Sequence, residues 1–338
     1  MSTEKLKFGM VGAGRIAQTY AQAFAGTQHA QLVAVADSRK DAAEAMASGM
    51  NCRSFERYEE MAAEAALDAV VVCTPPATHA AIGCYFLQRK VNVLCEKPLS
   101  IDSTSARLML STARENGVIL TMASKFRYVD DVVRARSVVA SGLIGDVIHF
   151  ENTFAAHVDM GNRWNANSAI SGGGVLIDNG THSVDIMRYF LGPIAEVYVV
   201  DGKRIQGLPV EETVHMVVRT TTGVTGSVDL SWTINKDASY INIYGSRGTI
   251  SVGWNESKYR ESSKTGWVVF GSGYDKLQAV RSQLDNFALA VLGQQQLLIT
   301  AEDALASVSV IESAYRSLRQ NRWMSINRRP DLAIVAGA

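Results

Sequence analysis

The stretch LKFGMVGAGRIAQTY (6–20), followed by QLVAVAD (31–37), decides the fold. Leu6 to Val11 is a short apolar run of the kind that forms a buried strand, and the residues after Ile16 read as a helix to about Ala25. Between them lies Gly12-Ala13-Gly14-Arg15-Ile16-Ala17, a G-x-G-x-x-A pattern. By itself the pattern is weak, but here it follows a strand and opens a helix. Gly12 permits the tight turn, Gly14 lets the backbone approach a pyrophosphate, and Ala17 keeps helix and strand close. The helix N-terminus at Arg15 and Ile16 then faces the phosphates. Asp37 stands 20 positions after Ala17 and closes the second apolar run, where a carboxylate accepts hydrogen bonds from an adenosine ribose. A glycine turn beside a surface aspartate is the plainer alternative. The full order of strand, glycines, helix, strand and acid favours dinucleotide binding. Asp37 would repel a 2′-phosphate, so NAD is expected. Ser38 and Arg39 directly after it provide the means of holding such a phosphate and leave NADP as the alternative.

Working outward, strand and helix patterns alternate. Ala42 to Ala47 and Ala62 to Leu67 are helical, and AVVVCT (69–74) is a buried parallel-strand run stopped by Pro75-Pro76. Thr78 to Lys90 reads as a helix and Val91 to Cys95 as a strand. Asp102 to Asn116 is a further helix, with Asp102 as N-cap and Gly117 as its stop. Val118 to Met122 closes the series. This order predicts a doubly wound parallel sheet over residues 1–124.

Beyond Ser124 the alternation ends. Tyr128 to Ser141 is helical, and then come VIHFENTF, AEVYVVDG, ETVHMVVRT, GVTGSVDLSWTI and SYINIYGS, strands separated by short glycine and Asn/Asp turns. Helices follow at about 276–291 and 301–318. Residues 125–338 are therefore expected to form an α+β domain with an antiparallel sheet that helices cover on one face. The stretches 156–171 and 255–274 read as loops.

Composition narrows the partners. The 338 residues carry 33 basic and 33 acidic side chains, 47% hydrophobic and 20% charged content, an ordinary globular mixture for about two domains. A neutral chain has no global field for nucleic acid or an anionic membrane. No apolar run approaches a membrane span, and the charged start MSTEKLK leads straight into a strand rather than an export signal, so a cytoplasmic location is expected. The cysteines at 52, 73, 84 and 95 make no C-x-x-C pair, and no metal site is predicted.

Two further stretches carry chemistry. Glu96-Lys97-Pro98 follows the strand VNVLC, and ligands in open parallel sheets bind beyond the carboxyl ends of strands. Lys97 thus either meets a substrate hydroxyl there or is a solvated loop lysine. In GGGVLIDNGTHSVD (172–185), Asp178, His182 and Asp185 are spaced to share one helix face. His157 is a weaker candidate, at the entry to the NRW loop.

GAGRIA, CTPPATH (73–79), CEKP (95–98) and the GGG-x-x-x-D-x-G-x-H block (172–182) together resemble the glucose–fructose oxidoreductase and inositol dehydrogenase family, Gfo/Idh/MocA, over most of the chain. The resemblance implies a Rossmann domain and an α/β domain with a large open sheet, the usual interface of dimers or tetramers. It also implies an NAD(P)-dependent oxidoreductase moving a hydride between nicotinamide and a secondary alcohol or ketone of a sugar, cyclic polyol or nucleotide-sugar. At matching positions it makes Lys97 the residue that activates the reacting hydroxyl, and Asp178 and His182 the substrate-contacting pair, with His182 as proton acceptor. It places Glu96, Thr74, Pro75, Arg127 and Trp164 at or near the cofactor, and makes His79 either structural or adjacent to the cofactor. Asn165 stands where many relatives have an arginine. Asp185 fits better as a helix anchor than as a second partner of His182. Two other functions compete: an oxidoreductase that keeps NAD(H) bound, recycling it between two sugars or cleaving glycosides by transient oxidation, and a non-catalytic dinucleotide sensor.

Overall fold

The computed structural model describes residues 5–236 and 239–326, so the outer ends of the two expected domains, 1–4 and 327–338, lie outside the described residues. The first half builds β1 (Leu6–Val11), α1 (Arg15–Gly26), β2 (Ala30–Ala36), α2 (Lys40–Met50), β3 (Arg53–Phe55), α3 (Tyr58–Glu64), β4 (Ala69–Val72), α4 (His79–Leu87), β5 (Asn92–Glu96), α5 (Ser103–Asn116) and β6 (Leu120–Ala123). The six strands are parallel, in the order β3-β2-β1-β4-β5-β6. The order reverses between β1 and β4, and a ligand crevice opens beyond the strand ends at such a reversal. β4, AVVV, is buried along its whole length because helices cover both faces. Asp102 caps α5 by accepting from Ser105 N, and Gly117 ends it in the left-handed region.

The second half adds α6 (Asp130–Ala140), β7 (Val147–Ala155), α7 (Ser168–Ser171), α8 (Val175–Asp178), α9 (Gly180–Leu191), β8 (Ile194–Asp201), β9 (Thr213–Thr220), β10 (Thr225–Ser231), β11 (Ser239–Gly245), β12 (Gly248–Gly253), β13 (Ser257–Glu261), β14 (Val268–Gly271), α10 (Lys276–Val291), α11 (Ala301–Gln320) and β15 (Met324–Ser325). The sheet is open and nine-stranded, β14-β13-β12-β11-β7-β10-β9-β8-β15. It is antiparallel except where β10 runs parallel to β7. Helices α6, α9 and α11 pack on it, burying the apolar alternation of strands such as β9.

Two expectations need correction. The stretch from Asn255 to Tyr274 is not a loop: β13 and β14 extend the sheet there. Their sequences, SKYRE and VVFG, are too polar or too short to show strand periodicity; β14 is the edge strand and β13 its neighbour. The helical run expected over 178–185 is broken at Asn179, so α8 and α9 are separate. Packing crosses the boundary expected at residue 124. Val280, Leu284 and Phe287 of α10 share a core with Phe8, Tyr20 and Phe24, and the rings of Phe8 and Phe287 meet edge-on at 5.9 Å. Helix α11 serves both cores: Ala304, Leu305 and Val308 face the parallel sheet's side, while Val310, Ile311 and Ala314 face the nine-stranded sheet. The chain crosses over at 124 and then returns to cover the first domain.

Candidate active site

A cleft of about 1230 Å³ lies beyond the carboxyl ends of β1, β4 and β5, between the two sheets. Its floor is the glycine loop. Gly12 has φ +98, and a Cβ there would sit 2.8 Å from the Cys73 carbonyl, so only glycine lets the loop approach β4. Gly14 caps α1 without a side-chain partner, and a Cβ on it would meet nothing within 4 Å. The free N–H groups of the first turn of α1 therefore open onto space able to accept a phosphate. Asp37 accepts from Ala13 N at 2.7 Å and Arg39 N at 2.8 Å, which fixes its carboxylate beside the loop. Gly12, Gly14, Arg15, Ile16, Asp37, Ser38, Arg39, Thr74, Pro75, Glu96, Lys97 and Trp164 all line the cleft. These residues fit a dinucleotide: glycines under a pyrophosphate, an acid at the ribose end, and Thr74, Pro75 and Glu96 toward the reacting end.

His79 is completely buried beneath this wall. Its Nδ1 lies 2.8 Å from Pro98 O and its Nε2 2.7 Å from Thr74 O, so the ring ties together the loops after β4 and β5. It supports the cofactor side without lining it. Arg127 departs from expectation. It is buried away from the cleft, gripping Asp185 through Nε at 2.9 Å and Nη2 at 2.7 Å, and donating to Leu298 O at 3.2 Å. Residues 125–128 form a 3-10 turn, which rotates successive side chains by about 120°. With Lys125 and Phe126 turned to the cleft, Arg127 points away.

At the reacting end, Lys97 Nζ donates to Asp178 O at 2.8 Å and to Asp178 Oδ1 at 2.5 Å. The Asp178 carboxylate thus pairs with Lys97; helix α8 ends at that residue, which places it against β5 and not in line with His182. The three glycines before it make this approach possible. A Cβ on Gly173 would collide with the Tyr315 hydroxyl, and one on Gly174 with the Glu211 carbonyl. The Glu211 carboxylate then accepts from Gly174 N, Leu176 N and Tyr315 Oη, fastening α8 in place.

His182 stands on the first turn of α9, edge-on to Phe126 with ring centres 5.0 Å apart. Burial, reinforced by the cations Lys125 and Lys97, holds its pKa well below the ordinary imidazole value, so the ring is neutral at pH 7. A neutral ring offers a lone pair to a proton. Its Nε2 lies 3.2 Å from Lys125 Nζ, and its Nδ1 is buried without a hydrogen-bond partner among the described residues. Asp185 is wholly buried, held by Arg127 and Ser124 Oγ, and acts as an anchor for α9. Glu96 is raised by burial, against the pull of Lys125 and Lys97, and accepts from Tyr20 Oη at 3.1 Å.

Lys125 escaped sequence reasoning, as did Trp232, Trp254, Asn179 and Lys276 on the same wall. Lys125 follows the end of β6 by two residues and Lys97 follows β5 by one, so the rule that located Lys97 also reaches Lys125. His157 is absent from the cleft wall, and among the described residues no group of three or more His, Cys, Asp and Glu could hold a metal ion.

A glycine-loop cleft with an acid at its ribose end, facing a lysine–aspartate pair and a neutral histidine, defines the class of nicotinamide-dependent oxidoreductases. Residues 6–124 match the oxidoreductase family with the NAD-binding Rossmann fold, and residues 132–251 match the GFO/IDH/MocA C-terminal domain. The chain belongs to the Gfo/Idh/MocA oxidoreductase family. It is 28% identical over 346 residues to inositol 2-dehydrogenase of Rhizobium meliloti, covering 95% of this chain and 99% of that one. GenD2 from gentamicin A biosynthesis, solved in complex with NAD, is 26% identical with a TM-score of 0.85 over 97% of this chain and 98% of its own. Levoglucosan dehydrogenase, solved with NADH and levoglucosan, shares the fold with a TM-score of 0.89 at 18% identity, over 96% of this chain and all of its own.

Proposed function

We propose that the protein is an NAD-dependent dehydrogenase acting on a secondary alcohol of a sugar or cyclic polyol. The observation that carries this reading is the convergence of Lys97, Asp178 and His182 at one end of a cleft whose other end is built for a dinucleotide. When bound, the nicotinamide supplies the hydride acceptor. His182, neutral and desolvated, takes the hydroxyl proton as the carbonyl forms. Lys97, oriented by Asp178, offsets negative charge growing on the oxygen. Trp232, Trp254 and Phe154 give the cleft apolar faces suited to the C–H faces of a ring, with Asn162 and Asn179 nearby to meet hydroxyls. The inositol and levoglucosan named for the relatives fit this description.

Asp37 supports NAD over NADP, because its carboxylate occupies the ribose end. A panel of inositols, free sugars, anhydrosugars and nucleotide-sugars, offered with NAD and with NADP and followed by NADH or NADPH absorbance, tests the proposal. It predicts turnover of at least one ring polyol or sugar, faster with NAD. Turnover of none of these classes, alongside activity on an unrelated alcohol, would count against it.

A further inference from the structure

Three lysines line the cleft, Lys97, Lys125 and Lys276, and only Lys97 has an assigned task. Lys97 is committed to Asp178 through two hydrogen bonds. Lys125 sits above the Phe126 ring, 4.8 Å from its centre, and donates to His182 Nε2 at 3.2 Å. An ammonium has only donors. While Lys125 is charged, Nε2 must therefore be the acceptor, and the lone pair that would receive the substrate proton is already filled. The ring's own hydrogen then sits on Nδ1, which is buried without a partner among the described residues.

We propose that Lys125 is a positioning residue that closes and opens the proton-accepting lone pair of His182: as ammonium it caps Nε2, and as amine it frees Nε2 and afterwards takes the proton from it. This rests on the alcohol oxidation proposed above. The balance is simple. The substrate O–H bond breaks and an Nε2–H bond forms, leaving His182 as imidazolium. That bond then breaks as an N–H bond forms on the Lys125 amine, which restores a neutral imidazole and an ammonium in the arrangement seen. The ammonium sheds its extra proton to water in the cleft.

The surroundings suit such a group. Lys125 is faced by Glu96 and Lys97 from the end of β5, Asp178 from α8, His182 from α9 and Lys276 from α10. Burial lowers it from an ordinary 10.5 to about 8; Glu96 opposes that change, Lys97 and Lys276 add to it, and Asp178 opposes it. The amine is thus reachable in mildly alkaline solution, where an ordinary lysine stays charged.

The test compares wild type with Lys125→Met and Lys125→Arg, each first shown to bind NADH by fluorescence. Nitrogen-15 NMR of the histidine-labelled, NADH-bound protein follows Nε2 of His182 with pH, and needs no substrate. In wild type this resonance is expected to step at about pH 8 as the cap is lost. Lys125→Met abolishes the step, and Lys125→Arg holds the capped value throughout because guanidinium keeps its proton. An identical titration in wild type and Lys125→Met overturns the proposal. In turnover of the panel's best alcohol, kcat/KM of wild type rises through the same pH. Lys125→Met moves that midpoint to lower pH, and Lys125→Arg loses at least about a hundredfold without recovery in alkali, a loss within the range for general-base catalysis. An unmoved midpoint in Lys125→Met also overturns it. If the resonance behaves as expected but no alcohol is oxidised, it is the assigned function that fails.

Discussion

Lys97 and His182 are 85 positions apart in the chain and line one cleft. Both were legible because each sits in a short motif, one after a parallel strand and one behind three glycines. Lys125 belongs to no such motif, and Arg127 two positions later drew attention that its geometry does not support. A 3-10 turn sends neighbouring side chains in different directions, and sequence proximity to a site does not show which one enters it. The burial of Lys125 has a thermodynamic consequence. Its folded value of about 8 lies below the ordinary 10.5, so between these the folded protein holds fewer protons than the unfolded chain. The stabilising difference is therefore present above the ordinary value and lost as pH falls through about 8, which makes charged Lys125 a cost at neutrality. Lys125→Met removes that cost, less what Glu96 forfeits with a neighbouring cation. A net gain on the order of 1–2 kcal/mol at neutral pH is expected. Thermal unfolding should show the gain shrinking toward pH 10.5; an equal difference at both pH values would contradict the sign.

At the scale of elements, the site depends on how α9 is moored. The Arg127–Asp185 pair is buried on both sides, with 5% and 0% of the side chains exposed. It joins the turn that carries Lys125 to the helix that carries His182. Removing one partner of such a pair strands the other charge in a poorly hydrated place, at a cost of about 3–5 kcal/mol. Asp185→Asn is therefore expected to lose stability of that order in urea unfolding, and to lower turnover in the fraction that stays folded. A change below about 1 kcal/mol would show that Arg127 finds other partners, Asp303 being the nearest candidate. Spacing left Asp185 between fixing His182 and anchoring the helix, with anchoring preferred, and its partner was not legible, because ion pairs 58 positions apart leave no local periodicity. Helix ends with a capping aspartate or a left-handed glycine, as in α5, read clearly for the opposite reason: their chemistry is local.

The whole molecule shows where a linear reading stops. The parallel sheet followed from alternation of strand and helix, yet nothing in the sequence of α10 announced that Phe287 would pack on Phe8. The edge strand β14 and its neighbour β13 were lost for want of an apolar pattern. The nine-stranded sheet has α6, α9 and α11 on one face. On the other, His149 stacks with Tyr244 at 6.1 Å and Tyr244 donates to Glu151, an ordered surface of mixed polarity. We propose that this face pairs with that of a second copy, giving a dimer or tetramer. Light scattering after size exclusion should then return at least twice the 36.6 kDa chain mass, and a monomer at micromolar concentration would contradict it. No helix among the described residues is long and apolar enough to cross a membrane.

The central claim is that His182 receives the substrate proton in an NAD-dependent oxidation. The most direct measurement is NADH formation by wild type and His182→Ala with the best alcohol of the panel, after NADH fluorescence has shown equal cofactor binding. The account predicts that His182→Ala binds NADH normally while kcat falls by about two to four orders of magnitude. Turnover within a few-fold of wild type would place the proton acceptor elsewhere and overturn the mechanism.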